Sequence, residues 1–368
     1  TSACGPDNEN GRGFFGAGTI QGVPWVLIGG ARSAGSLKYV YMTPDTSPAL
    51  AFRYVDINGV TGGATRGFSA AHFFNDRVYL GFPDNGGARP YLSALLATPR
   101  VPGLDAVAGV DVLNLRADNM PRIGRGNPNP NPDPTGTLMI DSFTDFNGRL
   151  YVANNGGIMR STTSTPRSYA AFPADWADAT PGALWAARPG IPTAKMADLE
   201  PADRAVPQMA AFQGRLYVAR NTTTGPQLIA CAPATTGSTS DCDPGDWQVV
   251  APNTADDRTQ FGDSGNNRVT LLVAAPNHLY VGFDNATRGV VVFRTASAAP
   301  ASRADFQGQA GCDASLFPAS CEGLGGNGFS AGMTRLWDAK ALSFGGATYV
   351  YVSAGTGAGP ARLYRIFD

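Results

Sequence analysis

"FNGRLYVANNGGIMRS", residues 146–161, holds a tight turn, a strand with a central tyrosine, a polar loop and the start of a second strand. Asn147-Gly148 reads as a tight Gly- and Asn-containing turn. Leu150, Tyr151 and Val152 follow at strand spacing. The same order returns in "FQGRLYVARNTTTGPQLIAC", residues 212–231, and in "FNDRVYLGFPDNGGARPYLS", residues 74–93. Three further copies are "QGVPWVLIGG" around Trp25, "PNHLYVGF" around Tyr280 and "GGATYVYV" around Tyr349. The six aromatics lie 54, 72, 66, 63 and 69 residues apart, so six units fill 368 residues at about 61 each. A fixed period of this size marks a repeat architecture.

Each unit carries more than this strand. An apolar stretch precedes the turn, as in "IDSFTDF" or "PQMAAF", and another follows the polar loop, as in "PQLIACA" or "VVVFRTA". Several units add a fourth, such as "AFRYVDI", "VDVLNL" or "DWQVVAP". No sustained helical period appears; only "ADWADATPGALWAA" suggests a short helical turn. Four short strands per unit predict an all-β fold, a six-bladed β-propeller. A seven-bladed alternative would need another unit in the long gap before Tyr151. That gap holds "GRGNPNPNPDPTG", whose prolines exclude a central strand, so it reads as a rim loop. The chain stops on "ARLYRIFD", a third strand, so the last blade is expected to take its fourth strand from N-terminal "RGFFGAG", closing the ring. Residues 1–12 read as a tail and residues 13–368 as one propeller domain.

Composition narrows the partners. Charged residues are 15% of the chain, net charge is −1, and Lys occurs only at Lys38, Lys195 and Lys340, so no basic stripe exists for nucleic acid or a polybasic membrane patch. No apolar run approaches the length of a membrane-spanning helix. The polar opening "TSACGPDNENGRG" reads as a processed N-terminus. Cys231 and Cys242, and Cys312 and Cys321, are close pairs, and with only two histidines in the chain they read as disulfide loops. Disulfides imply an extracellular, cell-surface or periplasmic location. Cys4 is left over and, with the N-terminal tail, is a candidate for attachment or self-assembly.

"LYVGFDNATRGVVVFRT", residues 279–295, resembles the blade repeat of bacterial secreted propeller proteins. "SDCDPGDWQ", residues 240–248, resembles a degenerate Asp-box, the turn that stabilises the outer blade edge in sialidase-type propellers. The glycines beside the strands are weakly similar to kelch repeats. These resemblances imply fold, not activity.

Catalytic signals are sparse. Arg77, Arg149 and Arg215 recur at one repeat position, which marks a structural role, and Glu occurs only at Glu9, Glu200 and Glu322. Asp141, Asp145, Asp263, Asn267 and Asp338 are the residues that could approach a propeller axis for acid or metal chemistry. His72 and His278 form neither a triad nor a zinc site, and no cofactor or metal motif is present. The loops after the aromatic strands carry Asp84, Asn85, Asn154, Asn155, Arg220, Asn221, Asp284 and Asn285, groups suited to hydroxyl-rich ligands. The expectation is therefore a secreted, non-catalytic binding, adhesion or assembly module with a glycan or extracellular protein as partner. The alternative is a carbohydrate-active or lactone-hydrolysing propeller enzyme. An enzyme would show clustered, non-repeating acids; a binder would present repeating polar loops.

Overall fold

The computed structural model describes residues 14–20, 22–29, 39–44, 53–56, 70–81, 91–95, 115–116, 140–154, 157–166, 173–181, 208–222, 225–233, 241–251, 265–285, 289–310, 333, 335–355 and 362–368. They form an all-β chain of β-propeller type, with no α-helix among the described residues. Two compact units are present: Thr1–Thr180 with Thr193–Pro201, and Pro181–Pro192 with Ala202–Asp368.

The first unit holds three antiparallel four-stranded sheets, each an up-and-down meander. They are β1 (Phe14–Ile20) to β4 (Arg53–Asp56), with β2 (Val23–Gly29) and β3 (Tyr39–Pro44) between; β5 (Ala70–Phe74), β6 (Arg77–Gly81), β7 (Tyr91–Leu95) and β8 (Leu115–Arg116); and β9 (Ile140–Phe146), β10 (Arg149–Asn154), β11 (Gly157–Ser161) and β12 (Trp176–Asp178). The second unit holds β13 (Gln208–Phe212), β14 (Arg215–Thr222), β15 (Gly225–Cys231) and β16 (Trp247–Ala251); then β17 (Asn266–Ala274), β18 (Leu279–Asn285), β19 (Val291–Thr295) and β20 (Phe306–Ala310). Its last sheet has three strands, β21 (Arg335–Phe344), β22 (Ala347–Gly355) and β23 (Arg362–Phe367).

One expectation is corrected here. The segment beginning at Phe14 does not supply a fourth strand to the last sheet; it is β1 and pairs along its length with β2, from Phe14↔Gly29 to Ile20↔Val23. A two-residue hairpin closes locally, at far less loop entropy than a pairing across the whole chain. The short helical turn expected around Asp175 is present as a single 3-10 turn, Pro173–Asp175, which continues as β12. Residues 1–12 and the Asn-Pro loop lie outside the described residues.

The repeated motif is explained by its hairpin. Asn75 and Asp76, Asn147 and Gly148, and Gln213 and Gly214 all have positive φ, as a type I′ turn requires. The phenylalanine before the turn packs on the tyrosine after it: ring centroids are 6.2 Å apart for Phe74–Tyr79, 6.1 Å for Phe146–Tyr151 and 6.4 Å for Phe212–Tyr217. The recurring arginine has a structural role in the third sheet, where Arg149 donates to the Thr162 carbonyl.

Alternation along each second strand serves two blade interfaces. In β18, Leu279, Val281 and Phe283 pack with Tyr217 and Leu228 of the preceding blade. Tyr280 packs the other way, with Leu336, Val350 and Val352 of the following blade. Gly282 lies between Leu336 and Leu271, where a Cβ would sit 2.5 Å from the Leu336 Cδ1. The Tyr217 hydroxyl ties its blade to the next, donating to the Pro300 carbonyl at 3.3 Å, and burial pushes its phenol up to about 12.

The third strands end on a fastening residue. Ser161 Oγ accepts the Leu150 N–H at 2.9 Å, and Thr295 Oγ1 accepts the Leu279 N–H at 3.0 Å. Cys231 stands in that place in the fourth blade, disulfide-bonded to Cys242 across a Cα separation of 6.0 Å. The turn that follows is held by Asp246, whose carboxylate accepts the Asp243 N–H at 2.8 Å and whose neighbour Trp247 is buried.

Candidate functional site

The first strands of two neighbouring sheets in the first unit bring together two residues from different repeats. His72 on β5 and Asp145 on β9 meet at 3.0 Å between Nε2 and Oδ1. Each sits near the turn that ends its strand: His72 pairs with Tyr79, and Asp145 with Leu150. The Asp145 side chain is 61% exposed and that of His72 24%. The hydrogen bond from His72 is the main cause that holds the Asp145 carboxyl below its ordinary value, against a smaller opposing effect of burial. An ionised carboxylate only accepts, so His72 Nε2 carries the shared proton and Nδ1 is the nitrogen able to take another.

The pair is not part of the blade repeat. Register places Gly18, Thr144, Ala210, Val273 and Leu342 where His72 stands, each opposite the central aromatic of its blade. Thr19, Phe73, Ala211, Ala274 and Ser343 occupy the place of Asp145. Blade construction therefore needs neither residue.

The chain's other histidine makes a pair of opposite character. His278 Nδ1 lies 2.9 Å from Asp368 Oδ1, and the same carboxylate accepts the Tyr280 hydroxyl at 3.1 Å and the Asn277 N–H at 2.9 Å. The Asp368 side chain is 0% exposed, against 61% for Asp145. No substrate reaches a carboxylate so enclosed; Asp368 fastens the last blade to the one before it. Burial, then the carboxylate, pushes the Tyr280 phenol up.

The sequence-derived candidates are placed as follows. Arg220, expected on an open loop, is fully buried in β14 with its Nε donating to Gln227 Oε1 at 2.6 Å. Asp284, also expected on a loop, is buried in β18; its carboxylate accepts Thr270 Oγ1 at 3.3 Å and the Leu336 N–H at 2.9 Å. Asn285 is buried too, donating to Asn266 Oδ1 at 3.0 Å. The strands run further than the glycine-rich sequence implies, and blade packing encloses their ends. Asn154 and Asn221 are strand residues of β10 and β14. Asp84, Asn85, Asn155, Cys4, Cys312 and Cys321 lie outside the described residues, as does Asp263.

Of the axial acids, Asp145 alone is seen in a described side-chain pair with His72. Asp141 is a bulge residue of β9, skipped between the pairs Ala153↔Ser142 and Asn154↔Ile140. It lies four residues along the strand from Asp145, about 13 Å. Asp338 belongs to β21 of the other unit and pairs with Ser353; Asn267 is skipped in β17. Among the described residues no group of three His, Cys, Asp or Glu could hold a metal ion. The His72–Asp145 meeting was missed because the two were weighed separately. The available signal was that both interrupt positions that are apolar or small in most repeats.

No family model matches the chain, and no curated protein matches it. Solved structures of similar fold exist. An exo-1,5-α-L-arabinanase from a bovine ruminal metagenomic library is 13% identical, with 83% of this chain and 94% of that one covered, at a TM-score of 0.37. Trypanosoma rangeli sialidase is 10% identical, with 97% and 54% covered and a TM-score of 0.49, so this chain spans about half its length. The GH43_1 enzyme from Xanthomonas citri complexed with xylotriose is 11% identical, with 98% and 88% covered and a TM-score of 0.38.

The expectation of a non-catalytic binding, adhesion or assembly module is corrected. The solved structures this chain is similar to are named as an arabinanase, a sialidase and a GH43_1 enzyme, not as binding or adhesion modules. Within this chain, Arg220, Asp284 and Asn285 are internal rather than displayed. The clustered acids expected of an enzyme are not seen among the described residues: Asp145 meets a histidine.

Proposed function

We propose that this protein is a hydrolase acting on carbohydrate, with His72 and Asp145 as its acid–base pair. The observation that supports this reading is the 3.0 Å contact between two side chains from the first strands of neighbouring sheets, open to solvent and absent from the repeat pattern. Asp145 accepts the His72 Nε2 proton and so orients the imidazole. His72 Nδ1 takes a proton from an attacking water and returns it to the leaving oxygen. The Cys231–Cys242 disulfide supports an oxidising location, extracellular or periplasmic. Among the described residues no helix is long and apolar enough to cross a membrane.

The test is product release from a panel of polysaccharides, aryl glycosides and sugar lactones by the wild-type chain, His72→Ala and Asp145→Asn. General acid–base catalysis contributes about 10²–10⁴-fold, so His72→Ala should lose activity on that scale. Asp145→Asn, which keeps an oxygen acceptor for His72 Nε2, should retain more activity than His72→Ala. Full activity in His72→Ala, or no product on any substrate, would refute the reading.

A further inference from the structure

The last blade is two-faced. One face of its sheet, with Val350, Val352 and Ile366, is buried against the preceding blade. The other face carries large apolar side chains in solvent: Phe344 is 51% exposed and Phe367 64%. Register orders this second face in rows across the three strands. One row is Leu342, Tyr349 and Phe367; the next is Lys340, Tyr351 and Arg365.

The rings form a continuous surface. Phe344 stacks on Tyr349 with centroids 5.2 Å apart, and Phe367 meets Tyr349 edge-on at 5.5 Å. The Arg365 guanidinium lies over the Tyr349 ring, 4.7 Å from its centroid, and both Arg365 and Lys340 are exposed. The chain has only three lysines, so a lysine and an arginine flanking one tyrosine is a local concentration of positive charge. The nearest acid of this face by register is Asp338, one row beyond Lys340.

We propose that this face binds an acidic polysaccharide, one whose sugar rings carry carboxylates. A pyranose ring has an apolar C–H face that lies flat on an aromatic surface, and its carboxylate pairs with a guanidinium or ammonium. Adjacent rows are two residues apart, about 7 Å along the strand. A sugar ring on the aromatic row therefore places its carboxylate at the cationic row. A neutral glycan would use the rings alone and leave both charges unanswered. Its binding does not depend on the hydrolase reading.

The test is affinity electrophoresis of the full chain in gels containing polygalacturonate or neutral dextran, with thermal unfolding measured in parallel. The variants are Phe367→Ala, Arg365→Gln and His72→Ala. The wild-type chain should be retarded by polygalacturonate and not by dextran. Phe367→Ala and Arg365→Gln should each bind about three- to tenfold more weakly at an unchanged melting temperature, and His72→Ala should bind like the wild type. Absence of retardation in the wild type would overturn the proposal, as would equal retardation by dextran or undiminished binding in both variants. A lowered melting temperature with unchanged binding would also overturn it, because the face would then be core covered by another part of the fold.

Discussion

Adding one methyl group at Gly18 tests the packing that brings His72 beside Asp145. Gly18 lies on β1 opposite Trp25, and its missing side chain leaves room for β5. A Cβ built there would sit 2.3 Å from both Cβ and Cγ of Phe73, the residue next to His72. Those atoms are the root of the phenylalanine, so a rotamer change does not relieve the overlap; β1 or β5 must move. Overpacking of this kind costs about 1–3 kcal/mol. The reduced entropy of the unfolded chain returns about 0.4–1 kcal/mol where alanine fits. Gly18→Ala should therefore destabilise this region, and amide exchange in residues 14–29 and 70–81 should accelerate by up to about 100-fold. Gly282→Ala is the internal comparison. There the closest atom, at 2.5 Å, is the Cδ1 at the far end of Leu336, with Leu271 Cβ at 3.0 Å. A leucine tip can turn away, so Gly282→Ala should cost less. Hydrogen exchange read by mass spectrometry on both variants decides the matter. Unchanged protection in Gly18→Ala, or a larger loss in Gly282→Ala, would refute the reasoning.

Tyr217→Phe removes the hydroxyl that reaches the Pro300 carbonyl and should lower stability by about 1 kcal/mol in urea unfolding. Asp368→Ala leaves His278, Tyr280 and the Asn277 N–H without their shared acceptor; a loss of about 3 kcal/mol, with faster amide exchange in β23, is expected. Asp145 has a folded-state value below its ordinary 3.8, so its contribution to stability is complete above that value and is lost as pH falls through the lower folded value. Urea unfolding between about pH 2 and 5 should therefore show a slope that Asp145→Asn reduces; equal slopes would mean that the His72 contact is absent in solution.

The blade was legible in the sequence because its determinants are local. Asn147-Gly148 dictates a hairpin whatever lies around it, and the Phe146–Tyr151 contact spans that same turn. Strand period, turn chemistry and repeat length all act within one unit of about 61 residues. The Cys231–Cys242 bridge was readable for the same reason, since it closes a short loop between a strand and the turn that follows.

Contacts between units of the repeat were not legible. Arg220, Asp284 and Asn285 read as loop residues because Asn, Asp and Gly usually end strands, yet packing extends β14 and β18 through them and supplies Gln227, Thr270 and Asn266 as partners. His72 and Asp145 lie 73 residues apart and have no common motif. Their meeting depends on β5 and β9 lying side by side. The roles of the two histidines show the division most sharply. In sequence each is a single imidazole near a hairpin; in the structure one meets an open carboxylate and the other an enclosed one. Burial is a property of the packed blades, and it separates a group that can react with a ligand from a group that holds two blades together.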